Sequence, residues 1–261
     1  MSLCHKLEGI MNKFWWTNNK TLRGIHWSSW DSLCKPKCVG GVGFKNLFLF
    51  NKAILAKQVW RIFSQPRCLL AKTFKACYFP FTDILSARVG SYPSFTWRSI
   101  CNARELIADG LVWRIGTGES INIWNDAWLP GREQNRVSAQ HIMPNWTTVN
   151  QLIELETSTW KRELVYNLFD DDTVARILSI PISDGGGEDL RVWKHDGSGV
   201  YTVRSGYRVL NSAHLQVPTL TSPNEGVYIS FYKALWSLDI PGKIKIHIGG
   251  CLIICCPILV I

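Results

Sequence analysis

Leu111-Val112-Trp113-Arg114-Ile115-Gly116-Thr117-Gly118-Glu119-Ser120-Ile121-Asn122-Ile123-Trp124 is the stretch on which the fold turns. Up to Leu111 the apolar residues recur at helical spacing; here they alternate, the period of a half-buried strand. The glycines between the two alternating runs predict a β-hairpin. Upstream, Leu3, Leu7, Ile10, Met11 and Phe14 fall at helical spacing, and the Gly40-Gly41-Val42-Gly43 run is a turn. Leu49, Ala53, Leu55, Ala56, Val59, Trp60 and Phe63 give the next helix an apolar stripe, capped near Asn46 and stopped at Gln65-Pro66. Further helices are predicted over 69–78 and 97–108.

Downstream of the hairpin, helical periodicity returns over 149–169 and 172–178. A second hairpin is predicted from Leu190–Trp193, the turn His195–Gly199 and Val200–Val203. Short helices follow over 205–210 and 231–238. The chain is therefore expected to be α+β, mainly helical, with two small antiparallel β-hairpins and an unstructured apolar tail. The expected regions are a basic helical region over 1–110, a hairpin and loop region over 111–148, and a helical connector over 149–188. A further region covers 189–245, and an aberrant tail covers 246–261.

A chain of 261 residues holds one large domain or two small ones, and 46% hydrophobic with 19% charged residues excludes a disordered composition. Its charge is uneven. Residues 1–114 carry 17 Lys+Arg against 5 Asp+Glu, a net +12, while the remainder carries 12 against 15, a net −3. A basic half is the electrostatic footprint of a polyanion binder. The 13 Trp are the other outlier, since an indole face suits a core, an interface or stacking on a base. Lys13, Lys20, Arg23, Lys35, Lys37 and Lys45 interleave with Trp15 and Trp16. Those eight residues are the candidate nucleic-acid contacts: cations for phosphate, aromatic faces for unpaired bases. A nucleic acid is the expected partner, with no small-molecule substrate.

Other chemistries find no foothold in the residue pattern. Phe169-Asp170-Asp171-Asp172 has the residues of a polymerase carboxylate pair, but its flanks are helical, and acids at a helix start cap free N–H groups. Cys34 and Cys38 form one loose pair with no second pair at finger spacing, and His247, Cys251 and Cys255 supply three ligands interrupted by glycines. No metal and no cofactor is expected. Nine scattered Cys and an opening with no apolar signal run point to free thiols in the nucleus or cytoplasm rather than secretion. The uncharged stretch from Ile248 is shorter than the roughly 20 apolar residues of a membrane span.

Several ordered landmarks resemble a known family. Lys13-Phe14-Trp15-Trp16, Ile25-His26-Trp27-Ser28-Ser29-Trp30, Leu33-Cys34-Lys35-Pro36-Lys37 and Gly40-Gly41-Val42-Gly43-Phe44 are similar to the segment after the polymerase domain of plant non-LTR (LINE-like) retrotransposon reverse transcriptases. The likeness runs on through Pro93–Ile100 and Trp113–Gly116 to Ile123–Pro130. Ile177–Ser183, Gly199–Tyr207 and Leu235–Lys245 resemble the opening of the reverse-transcriptase zinc-binding domain. In that family the chain continues to a Cys-Pro-x-Cys ligand pair; here it departs after His247, as a shifted reading frame would make it. The resemblance implies a truncated remnant without polymerase, ribonuclease H or endonuclease parts, hence no enzyme, whose basic Trp-rich half would hold RNA. A relic with no selected activity and a tail-tethered membrane protein are the alternatives.

Overall fold

The computed structural model describes residues 3–17, 26–131, 135–137, 143–154, 157–182, 187–215 and 225–255. It is an α+β fold, mainly helical, with two small two-stranded antiparallel sheets among those residues. The chain divides into two compact units, Met1–Ala56 with Gly206–Ile261, and Lys57–Ser205.

The first unit holds α1 (Leu3–Trp16), α2 (Trp30–Cys34), the start of α3 (Leu47–Ser64), most of α9 (Val203–Leu215), α10 (Glu225–Ser237) and α11 (Gly242–Cys255). Asn46 caps α3 by accepting from the Leu49 N–H at 3.0 Å, and the glycine run behaves as its spacing predicts. The N–H groups of Val42, Gly43 and Phe44 all converge on the Leu33 carbonyl at 3.0–3.2 Å. A Cβ on Gly41 would lie 1.9 Å from the Lys35 carbonyl oxygen, so only glycine fits. Where an unstructured tail is expected from residue 246, α11 instead continues to Cys255. Gly249 allows this: Tyr232 packs so close that a Cβ there would sit 3.0 Å from its ring. Residues 256–261 lie outside the described residues.

The second unit contains α4 (Leu69–Tyr78), α5 (Phe95–Asn102), α6 (Arg104–Gly110), β1 (Leu111–Arg114), β2 (Ile153–Glu154), β3 (Thr159–Trp160), α7 (Arg162–Leu168), α8 (Asp171–Leu178) and β4 (Leu190–Trp193). The expected single helix over 97–108 is split at Ala103, where the Arg104 guanidinium reaches back to the Ala87 carbonyl. The core gathers Ile121, Ile123, Trp128, Leu129, Leu152 and Ile177. Its tryptophans are hydrogen-bonded as buried indoles require: Trp124 to the Trp146 carbonyl, Trp128 to Ile123 and Trp160 to Ile180, at 2.6–3.0 Å.

Two of the four expected hairpin strands form, 111–114 and 190–193, and they pair with each other rather than within two local hairpins. β1 pairs with β4, with Trp113 opposite Arg191, rather than with residues 121–124. The reason is the loop after β1, which wraps the Asp189 carboxylate: Gly116, Gly118 and Ser120 donate their N–H groups to it at 2.8, 2.8 and 2.9 Å. This pins the start of β4 beside the end of β1. The predicted partner strand 200–203 turns into α9 instead, because Thr202 and Ser205 cap each other's backbone N–H groups at 3.2 and 3.1 Å. The other sheet is a true hairpin, β2 with β3, inside the expected helical run 149–169. Ser158 turns it with φ 49, and the apolar spacing there is met by a 3-10 turn at Val149–Leu152, the hairpin and α7 in succession.

Candidate nucleic-acid interface

The interior of the first unit is built on Trp16, Leu33 and Ile246, flanked by Trp15, Trp30, Phe44 and Trp236. Trp16 is 4% exposed. Phe44 lies between two of these rings, stacked on Trp30 at 5.2 Å and edge-on to Trp15 at 4.9 Å. In contrast to the second unit, the indole N–H groups of Trp15, Trp16, Trp30 and Trp236 have no acceptor among the described residues.

The positive charge is concentrated in the first unit, although the contrast is smaller than that between the two parts of the sequence. The first unit holds 12 Lys+Arg against 4 Asp+Glu, a net +8, whereas the second holds 17 against 16, a net +1. Glu8, one of the four acids, is buried and accepts from the Leu47 N–H at 2.7 Å. The structure also brings α11 to the N-terminal aromatics. Lys243 lies 5.9 Å over Trp15, Lys37 lies 5.0 Å over Trp236, and the Trp27 and His247 rings meet at 4.3 Å. Lys243 and His247 stand one turn apart on α11, and Trp27 is 55% exposed. An exposed indole beside fixed cations can stack an unpaired base while the cations meet phosphate.

The predicted contacts separate under this geometry. Lys13, Lys35, Lys37 and Lys45 are exposed; Lys45 also lies 4.4 Å over Phe50. Lys20 and Arg23 lie outside the described residues. Trp15 is half-buried. Trp16 is core, and its buried ring cannot stack on a base while the unit stays folded. Sequence reasoning missed Trp236 and Lys243, which reach the site only through α11 and α10. Lys245, by contrast, is buried and donates to the Trp236 carbonyl at 3.0 Å, a packing role.

The remaining candidates take structural roles. Asp170 caps α8 by accepting from the Thr173 N–H at 3.3 Å, and hydrogen bonding from the Thr173 side chain, then from its backbone, holds the Asp170 carboxyl below the usual carboxylate range. Cys34 is buried; desolvation, helped by the charges of Glu8 and Asp31, pushes its thiol up to about 12. Cys38, the other member of the loose pair, is exposed, and no cluster of three or more metal-ligating side chains exists among the described residues. Among them, too, no helix is long and apolar enough to cross a membrane. His195 sits below its ordinary range through burial and the adjacent Lys194.

Two proteins of Arabidopsis thaliana resemble the chain. "Uncharacterized mitochondrial protein AtMg00310" is 44% identical over 128 residues, covering 49% of this chain and 83% of that protein. "Putative ribonuclease H protein At1g65750" is 24% identical over 251 residues, covering 94% of this chain. The chain spans only 39% of that second protein's length, so the activity in its name speaks for a much longer molecule. No family model and no solved structure matches the chain.

Proposed function

The chain belongs to the family of the uncharacterized mitochondrial protein AtMg00310 of Arabidopsis thaliana, and from that premise we propose that it is a retrotransposon-derived RNA-binding module without catalytic activity. The lineage is that of plant non-LTR (LINE-like) reverse transcriptases, with residues 189–245 akin to the opening of their zinc-binding domain. The observation that carries the reading is the charge: the first unit is +8 and its neighbour +1, and its cations stand beside aromatic rings. Lys13, Lys35, Lys37, Lys45 and Lys243 meet phosphate, and Trp27 stacks an unpaired base. Lys20 and Arg23 join them as sequence candidates. The helix-capping role of Asp170 supports the absence of polymerase chemistry, since that carboxylate is engaged with the Thr173 N–H. The relative's name adds the mitochondrion to the nucleus and cytoplasm as compartments in which to look.

The test is fluorescence anisotropy of the full chain with a labelled RNA hairpin carrying an unpaired loop, across a salt series. Binding weakens with salt, and replacing Lys13, Lys35, Lys37 and Lys243 by Gln flattens the slope of log K on log salt by roughly 0.7 for each lost single-strand phosphate contact. Trp27→Ala lowers affinity with the slope unchanged, as loss of stacking requires.

A further inference from the structure

Helix α1 carries an apolar seam that nothing among the described residues covers. Leu3, Leu7, Ile10 and Phe14 are 70%, 43%, 65% and 82% exposed. Their spacing is four, three and four residues, the a/d repeat of a coiled-coil seam. The opposite side of the helix is the packed one, where Glu8 and Trp16 are buried. Beside the seam lies an apolar cleft of about 510 Å³, walled by Ile10, Phe14, Trp15, Trp30, Phe44 and Leu47. Large exposed apolar faces of this kind mark interaction sites. A convex ridge next to a concave cleft matches the surface of another helix better than a flat one.

The charges choose the occupant. With Leu7 and Phe14 at a, Lys6 and Lys13 occupy successive g positions, both exposed, where partner choice in paired helices is set. Lys45 adds a third cation at the cleft wall. The only acid on α1, Glu8, is turned inward and engaged with Leu47. A second copy of this chain, paired antiparallel, would set Lys against Lys; paired parallel, it would set Lys6 and Lys13 opposite uncharged residues. An acidic helix satisfies both lysines in either direction.

We propose that α1 is a docking helix which takes an acidic amphipathic helix of a partner protein, its apolar face on Leu3, Leu7, Ile10 and Phe14 and its carboxylates on Lys6 and Lys13. The site shares Lys13 and Lys45 with the RNA reading but does not rest on it, because its apolar contacts Leu3, Leu7, Ile10 and Phe14 are assigned to no phosphate or base.

The probe is a fluorescent, stapled 21-residue helix with Leu at a and d and Glu at e and g; its counterpart has Lys at e and g. Anisotropy with the full chain should show saturable binding of the acidic helix, at least tenfold tighter than the basic one. Ile10→Ser with Phe14→Ser, both on exposed positions, should weaken it at least tenfold while the circular dichroism spectrum and the RNA affinity stay the same. Equal binding of both peptides, or no saturable binding of the acidic one, overturns the proposal. So does concentration-dependent dimerisation in sedimentation that the double substitution abolishes, which assigns the seam to a second copy. Sedimentation with phosphatidylserine vesicles, lost in the same double variant, assigns it to a lipid surface and overturns it equally. A wild-type chain that binds the acidic helix but not the RNA hairpin counts against the RNA reading and supports this one, whereas a double variant that keeps the peptide overturns it.

Discussion

Replacing Asp189 by Ala tests how the second unit holds its sheet together. The Asp189 carboxylate accepts three backbone N–H groups from the loop after β1, at 2.8, 2.8 and 2.9 Å. Two of those donors, Gly116 and Gly118, are buried; Ser120 is exposed and would find water. A buried donor left without a partner costs about 1–3 kcal/mol, so two of them place the loss at about 2–6 kcal/mol. Water entering beside the half-buried Asp189 position favours the lower half of that range. The loop cannot collapse to compensate, since a Cβ-sized shift at Gly116 already meets the Gly187 carbonyl. Asp189→Asn keeps an oxygen for one pair of donors but turns an amide N–H towards another, so it costs less than Ala yet remains measurable. Urea unfolding followed by hydrogen exchange at residues 111–123 and 190–193 reads the change in the right unit. A loss under about 0.5 kcal/mol for Ala, within the spread of ordinary surface substitutions, would refute the pinning role.

Three further outcomes follow from the packing and capping described above. Gly110→Ala places a Cβ 1.8 Å from the buried Trp193 ring and should lower stability by about 1–3 kcal/mol, read as a drop in Tm. Asp170→Ala removes the α8 cap and costs about 1 kcal/mol at pH 7. Because the folded carboxyl of Asp170 is held low, that difference is present above the unfolded pKa near ~3.9 and vanishes as pH falls through the folded value, which paired melts at pH 7 and pH 3 would check. At pH 8 a maleimide should label exposed Cys38 well before Cys34, whose buried thiol stays protonated; mass spectrometry of peptides gives the order.

Local structure was legible wherever a cap or breaker sat beside a clear period. The helix over 69–78 is where its apolar spacing put it, and Asn46 and Asp170 cap the helices that follow them. Long-range pairing was not legible, because Asp189 lies some seventy residues from the loop it organises, and no local period records that distance. Nor could the sequence distinguish a helix over 149–169 from a 3-10 turn, hairpin and short helix, since both bury Val149, Leu152, Trp160 and Val165. At the candidate interface, the cations could be read from composition alone. Burial could not: Trp15 and Trp16 are neighbours in sequence, yet only the second faces inward into the core, while Trp27 gains its place from His247 on α11. The contribution of Lys243 is likewise a tertiary fact.

The most direct test of the RNA reading is the salt dependence of RNA binding by the full chain, wild type against the Lys13, Lys35, Lys37 and Lys243→Gln variant. A steep wild-type slope that flattens by about 2–3 in the variant is the predicted result, from roughly 0.7 per phosphate contact. An equal slope in both proteins would mean these lysines meet no phosphate, and would contradict the placement of the interface on the first unit.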